Sequence, residues 1–181
     1  MKRTILALAG ATMICAGSIA FAADDGDVAA TVAALLARAD AAASEPGARA
    51  QLRADLIALE RFGAHAADAD DPRPQWRAAA KLDVEADYRG RVLGPAFRRG
   101  TIAPGGVARI EQQFLGGQRS SIAVSGVPGE GVTVSVRDPD DAAVCGGERA
   151  ACSWLPLYTQ RYTISVHNAA PHPARFYLVV D

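Results

Sequence analysis

Few side chains in this sequence could act as a nucleophile, base or acid. The chain has three histidines, His65, His167 and His172, and it contains no Gly-x-Ser-x-Gly segment. A serine hydrolase needs a histidine within reach of its nucleophile and donors for the oxyanion. His167 stands on the polar phase of an alternating segment and His172 lies between two prolines, so we expect both on the solvated surface. The sequence therefore predicts a protein that is not an enzyme and has no cofactor.

Two other groupings have side chains that metal ions use. His167 and His172 are five residues apart, but prolines restrict the backbone between them, and zinc or copper would require a further ligand. Asp138, Asp140 and Asp141 offer the oxygen ligands that calcium prefers. The Asp-Pro-Asp order also suits a type I turn, which accounts for every residue there, so we predict a turn and no metal site. A second acidic set offers similar ligands: Asp68, Asp70 and Asp71.

The N-terminus and the cysteines indicate the compartment. Residues 1–22 begin with two basic residues, continue through a short apolar run and end Ala-Phe-Ala, which is typical of a signal peptide cleaved between Ala22 and Ala23. Cleavage removes Cys15 and leaves Cys145 and Cys152, which we expect to form a disulfide in an exported protein. Gly146-Gly147 would turn the chain between two paired strands. The sequence thus predicts a periplasmic or secreted protein with no membrane span in the mature chain.

Two surface features are candidates for binding. Arg98 and Arg99 form a modest basic cluster that would suit an anionic surface such as a lipid headgroup or an acidic polysaccharide, or would simply protect the edge of a sheet. Trp154 and Tyr158 flank Leu155-Pro156-Leu157, where apolar residues do not alternate. These aromatic residues would form a platform for a sugar or peptide if they were exposed. We favour the alternative, in which they close the end of a core.

Helices dominate the first part of the mature chain, in which 22 of the 64 residues from 23 to 86 are alanine. Apolar residues recur there at helical spacing, with an interruption at Ser44–Gly47. Because alanine buries little area, we expect this part to need either the rest of the chain or a partner helix to stay folded. The predicted elements are helices over 27–43 and 46–63, which form a hairpin, a linker from 64 to 74 and a short helix over 75–83.

Strands dominate from residue 88 onward, where the apolar period changes from about 3.6 to two. Short alternating runs such as Val132–Val136 and Tyr162–Val166 are separated by turn segments rich in glycine, proline and aspartate. This spacing is typical of an antiparallel β-sandwich. The net charge of −1 and the sequence pI near 6.3 also exclude the basic footprint of a nucleic-acid-binding protein.

The β part resembles the bacterial pre-peptidase C-terminal (PPC-type) domain. The likeness rests on the order of RGTIAPGG, ARIEQQFLGGQRSSIAVSG and VTVSVRDPDD, followed by the closing strands QRYTISVHN and ARFYLVVD. It covers residues 88–181, whereas the Cys145–Cys152 segment has no counterpart in that family. The resemblance implies a jelly-roll-like sandwich on an exported protein, with a role in substrate binding, secretion or the solubility of a neighbouring domain.

Together these observations predict an α+β protein, in which an N-terminal α-helical hairpin is followed by a C-terminal antiparallel, jelly-roll-like β-sandwich. The predicted units are a signal peptide (1–22), an alanine-rich helical segment (23–87) and a PPC-like domain (88–181). We expect a non-catalytic envelope protein that binds another envelope protein, a peptide or a polysaccharide. The alternatives are a peptidase-associated accessory protein and a small metal- or calcium-binding periplasmic protein.

Overall fold

The computed structural model describes residues 26–82, 94–127 and 131–181. The predicted signal peptide, its cleavage site at Ala22 and Ala23 and the predicted domain boundary at 87/88 lie outside these ranges. The described part contains three α-helices, α1 (Gly26–Ser44), α2 (Arg49–Arg61) and α3 (Arg73–Ala80). None of these helices is long and apolar enough to cross a membrane.

Helices α1 and α2 form the predicted hairpin. Helix α2 begins three residues later than expected because the chain turns first, with Gly47 at a φ of 93° that glycine adopts without strain. Asp55 of α2 is 1% exposed, and it accepts hydrogen bonds from Arg38 Nε of α1 at 3.0 Å and from Gln51 Nε2 at 3.0 Å. The buried carboxylate is thus fully engaged, and its ion pair with Arg38 fixes one helix against the other.

Within the described ranges, nine strands form two sheets that pack face to face. Sheet A has the order β1-β2-β9-β4-β7 and sheet B the order β3-β8-β5-β6, and every pairing is antiparallel except that of β1 with β2. The predicted α+β fold is therefore confirmed. The strands are β1 (His65–Ala66), β2 (Ala96–Ile102), β3 (Val107–Phe114), β4 (Ser120–Val127), β5 (Val132–Arg137), β6 (Ala143–Arg149), β7 (Ala151–Trp154), β8 (Gln160–Asn168) and β9 (Ala174–Val180).

Alternating residues of the strands fill the space between the sheets. Ile122, Val134, Ile164 and Leu178 are all at most 1% exposed there. Because side chains of a strand point alternately to its two faces, the period of two places these residues in one core.

Strand β9 does not alternate, and the structure explains why. Phe176 and Leu178 face the core between the sheets, whereas Tyr177 and Val179 face the helices, so both faces of β9 are buried. The helices pack on the outer face of sheet A, where Leu36 contributes to the same cluster as Val179. The sequence left open whether the helices pack on the rest of the chain or on a partner helix. In the described part of the chain they pack on the sandwich.

The segment predicted as a linker contains a strand, which is a correction. His65 and Ala66 form β1, whose neighbour in sheet A is the parallel strand β2. Helix α3 then spans Arg73–Ala80 rather than 75–83, because Pro74 fits its first turn and Lys81 ends it at a left-handed φ of 52°. The protein therefore has three layers in the order helices, sheet A and sheet B. The outer face of sheet B is exposed to solvent and has polar residues such as Arg109 and Glu111.

Candidate functional site

Two adjoining loops at one end of the sandwich expose large apolar side chains. The first follows β3 (residues 115–119) and the second joins β7 to β8 (residues 155–159); together we call them the apolar loop pair. Leu115 is 52% exposed, Leu155 60%, Leu157 80% and Tyr158 73%. Large apolar groups gathered at one place on a surface are typical of interaction sites, whereas isolated ones are common everywhere.

Backbone contacts hold the two loops against each other. The amide of Gly117 donates to the carbonyl of Pro156 at 2.8 Å, and the amide of Gly116 donates to Thr159 Oγ1 at 3.0 Å. A Cβ at position 116 would lie only 2.9 Å from the backbone of Tyr158, and Gly117 has a φ of 76°. Glycine is thus required at both positions for this approach. The hydrogen bonds make the apolar loop pair a preformed surface.

A cluster of aromatic rings lies beneath the loops. The ring of Trp154 is 4.8 Å from that of Phe114 and 5.5 Å from that of Tyr162, in edge-on or tilted arrangements that aromatic pairs prefer. The indole nitrogen of Trp154 is buried, whereas Tyr158 projects into solvent. Trp154 therefore helps to close the end of the core, as we favoured for both aromatic residues, whereas for Tyr158 that expectation is wrong because its side chain lies on the surface.

The two cysteines brace the base of the second loop. Cys145 and Cys152 lie at disulfide-bonding distance, with a Cα–Cα separation of 6.2 Å. The predicted hairpin between them is wrong, since Gly146 lies within β6, β6 pairs with β5 in sheet B, and β7 pairs with β4 in sheet A. Cys145 lies in β6 at the edge of sheet B and Cys152 in β7 at the edge of sheet A, so the bridge joins the edges of the two sheets. Cys152 precedes Leu155 by three residues, so the bridge restrains the start of the loop.

The predicted basic cluster is paired with carboxylates. Arg98 Nη1 lies 3.3 Å from Asp68 Oδ2, and Arg99 forms an ion pair with Asp70. The hydrogen bond from Arg99 lowers the pKa of Asp70 below its ordinary value. The arginines that the sequence offered as an anion-binding cluster are thus paired with two of the aspartates that it offered as calcium ligands.

Asp71, the third member of that acidic set, binds Arg73 at the start of α3. Its Oδ1 accepts hydrogen bonds from the backbone amide and from Nε of Arg73, both at 2.9 Å. Burial by itself would raise the pKa of Asp71, but the bonds from Arg73 outweigh it and lower the pKa. Asp71 thus joins the β1–α3 connection to the helix.

Asp138 organises a turn. Its Oδ1 accepts hydrogen bonds from the amides of Asp140 at 3.0 Å and Ala142 at 2.8 Å, and Asp141 takes a φ of 62°. These are the bonds by which an aspartate stabilises its own turn. No metal-binding group of three His, Cys, Asp or Glu side chains occurs within the described ranges.

The histidines lie apart from the apolar loop pair. His167 is half-buried on the outer face of sheet B, where its Nε2 is 3.2 Å from the hydroxyl of Ser135. His172 is exposed in the turn before β9, and His65 lies in β1. The register partner of His167 is Thr133 and that of Ser135 is Ser165, so Ser135 and His167 are diagonal neighbours on one face of the β5–β8 pair and their contact follows from that pairing.

Sequence reasoning offered Tyr158 as a binding candidate and noted Leu155 and Leu157 only as a break in the alternation, and it did not consider Leu115. The signal was present, because Leu155-Pro156-Leu157 breaks the alternation and Leu115 stands directly before a Gly-Gly turn. What the sequence could not supply was that the two loops meet, since they are separated by about 40 residues of chain and join only through the pairing of β3 with β8.

No protein-family model matches the chain, and no curated protein matches it either. Among solved structures, it is similar to PliG of Aeromonas hydrophila, a periplasmic inhibitor of g-type lysozyme, at 16% identity and a TM-score of 0.41, over 48% of this chain and 84% of that one. The pre-peptidase C-terminal domain of a Bacillus anthracis collagenase matches at 15% identity and a TM-score of 0.39, over 47% and 87%. At these values neither likeness bears on function, which has to be argued from the site.

Proposed function

We propose that this protein is an exported, non-catalytic binding protein whose apolar loop pair docks on a partner protein. The observation that carries the proposal is the exposure of Leu115, Leu155, Leu157 and Tyr158 on two hydrogen-bonded loops. Burying such side chains against a partner removes apolar area from water, at about 25 cal/mol per Å². Tyrosine is also enriched among the residues that dominate binding energy at protein interfaces.

The rigidity of the loops favours binding further. A flexible loop loses conformational freedom when it docks, and that loss subtracts from affinity. Here the bonds from Gly116 and Gly117, the aromatic cluster and the cysteine bridge restrain the loops before any partner arrives. The adjoining strands are polar, with Arg161 Nη1 at 3.5 Å from Glu111 Oε2. An apolar centre with a polar surround is the usual anatomy of a protein–protein interface.

The remaining parts of the proposal rest on the sequence. Export is supported by the residue pattern of 1–22 and by the pair Cys145 and Cys152. A binding role is supported by the lack of any hydrolase elbow motif in the sequence. We also propose that residues 88–181 are a PPC-type module, since the quoted segments fall on strands β2 to β5, β8 and β9 with turns between them.

The test is site-specific photo-crosslinking in the native cell envelope. A crosslinking amino acid at position 157 should trap one dominant protein, because Leu157 has the most exposed of the four apolar side chains of the apolar loop pair. The matched control is position 107, because Val107 is an exposed apolar residue at the other end of β3 and should trap nothing specific. The partner identified at 157 is then purified and titrated against the wild-type protein.

Variants decide whether the loops carry the affinity. The double substitution L157S/Y158S should weaken binding of the purified partner at least tenfold, whereas V107S should leave the dissociation constant unchanged. Trapping of a second copy of this chain would refute docking on a different protein, and so would equal affinities of the two variants. Thermal unfolding of both variants checks that each remains folded.

A further inference from the structure

A second site lies between the helices and sheet A. A cavity of about 580 Å³ opens between α1, α3 and strands β2 and β9. We call it the interlayer cleft, and its polar lining includes Asp40, Asp70, Gln75, Arg99, Thr101 and Arg175. Small-molecule sites commonly have volumes of this size, about 300–1,000 Å³. No residue of the apolar loop pair lines it.

Charges of both signs face the interlayer cleft in two pairs. Arg175 Nη1 donates to Asp40 Oδ1 at 2.6 Å, and Arg99 forms its ion pair with Asp70. Arg175 is about half exposed and bonds Asp40 through Nη1 alone, so its other guanidinium N–H groups remain for a further acceptor. Each carboxylate likewise has lone pairs beyond those its arginine uses. A ligand can therefore bind to the pairs without breaking them.

A buried hydroxyl lies next to the interlayer cleft, beside Arg99 on the same face of sheet A. Tyr177 is the register partner of Arg99 and is fully buried. Its hydroxyl makes no hydrogen bond of ordinary geometry within the described residues, but it lies close enough to Asp40 and Arg99 to interact with both. Burial raises the pKa of Tyr177 well above its ordinary value, and the negative charge of Asp40 raises it further. The hydroxyl is therefore a protonated donor at neutral pH that lies close to charges of the cleft.

We propose that the interlayer cleft binds a small zwitterion that carries an ammonium group and a carboxylate, as a free amino acid or a short peptide does. The carboxylate fits the planar guanidinium groups of Arg99 and Arg175, which bind such groups with two parallel hydrogen bonds. The ammonium group fits the carboxylates of Asp40 and Asp70. A ligand with a single charge would be attracted by the residues of opposite charge but repelled by the residues of the same charge. The lining therefore favours a ligand that has both a positive and a negative group.

The two tryptophans allow a direct test by NMR. Trp76 lines the interlayer cleft, whereas Trp154 lies in the aromatic cluster of the sandwich, and the chain has no other tryptophan. Alanine and dialanine are titrated into the ¹⁵N-labelled protein up to about 10 mM, at which a site with a Kd of about 1 mM is mostly occupied. The indole signal of Trp76 should shift to saturation and that of Trp154 should not move. Binding of alanine identifies a free amino acid as sufficient, and binding of dialanine alone identifies a peptide.

Matched ligands and variants complete the experiment. Propionate and ethylamine each keep one charge and should bind at least tenfold more weakly than the zwitterions. Arg99→Gln should weaken binding at least fivefold, and Arg98→Gln should not, although both remove an exposed ion pair from β2. Ala79→Leu narrows the cleft and should also weaken binding, whereas Ala78→Leu on the same helix should not.

Three results would refute the proposal. The first is that no zwitterion shifts the indole signal of Trp76, and the second is that a singly charged ligand binds as tightly as the zwitterions. The third is that R99Q and R98Q bind the zwitterion equally well although their melting temperatures are equal.

Discussion

Replacing Tyr177 by phenylalanine is expected to stabilise the protein. The substitution removes a buried hydroxyl that makes no hydrogen bond of ordinary geometry in the described structure, and it keeps the ring, whose centroid is 6.1 Å from that of Trp76. A buried polar group without a hydrogen bond costs about 1–3 kcal/mol. The carboxylate of Asp40 lies close enough to interact with the hydroxyl and so offsets part of this cost. We therefore expect Y177F to raise the free energy of unfolding by about 1 kcal/mol.

Tyr162 provides the matched control. It is also a buried strand tyrosine, but its hydroxyl accepts a hydrogen bond from Gln160 Nε2 at 3.0 Å. Tyr162→Phe removes that bond and should lower the free energy of unfolding by about 0.5–1.5 kcal/mol. The same chemical change is thus expected to have opposite signs at the two positions, which separates hydrogen bonding from any general effect of losing a hydroxyl.

The assay is urea unfolding at pH 7 followed by far-UV circular dichroism. An unchanged slope with a shifted midpoint would show that stability itself has changed. At alkaline pH a second difference is expected. Because the native pKa of Tyr177 is raised, the native state keeps a proton that the unfolded chain loses above about pH 10, so wild-type stability falls there and Y177F does not share this loss. A loss of more than about 0.5 kcal/mol in Y177F at pH 7 would show that the hydroxyl is hydrogen-bonded and would refute the argument.

Three further perturbations test other contacts. Arg38→Met leaves the buried carboxylate of Asp55 without its cation and should cost about 3 kcal/mol in chemical unfolding, and a second change of Asp55 to Asn should recover part of it. Reduction of the bridge between Cys145 and Cys152, which are seven residues apart, should cost about 2 kcal/mol and lower affinity for the partner. The native pKa of Asp71 is lowered, so its stabilisation is present above about pH 4 and is lost as the pH falls further; D71N should flatten the acid limb of a stability–pH curve.

The elements were predictable where one face of each was buried. Apolar residues at helical spacing from Val28 to Ala39 indicate one buried helix face, and the structure has α1 there. Alternation over Val132–Val136 indicates one buried strand face, and the structure has β5 there. Strand β1 was missed because two residues, His65 and Ala66, are too short for any period. The helix boundaries differ because Pro46-Gly47 forms a turn outside the helix, whereas Pro74 fits inside one.

The candidate sites were predictable only in part. Tyr158 was offered as a binding candidate because the residues before it do not alternate, but the sequence favoured a place in the core, since its exposure depends on where β7 ends and β8 begins. The interlayer cleft was not predictable, because Asp40 and Arg175 are 135 residues apart and neither belongs to a motif. Arg98 and Arg99 were interpreted as an anion-binding cluster or as charges that protect a sheet edge, because the sequence does not show that Asp68 and Asp70 pair with them.

The sequence by itself determined the order of helices and strands, the alternating core residues and the turns at Asp138 and Gly117, since these depend on local backbone preferences and on which residues avoid water. Only the tertiary structure decided that the helices cover sheet A, that the cysteines join two sheets rather than one hairpin, and that the loop of Leu115 meets the loop of Leu157. The reason is physical: local propensity acts over a few residues, whereas packing, ion pairing and strand order depend on contacts between segments far apart in the chain.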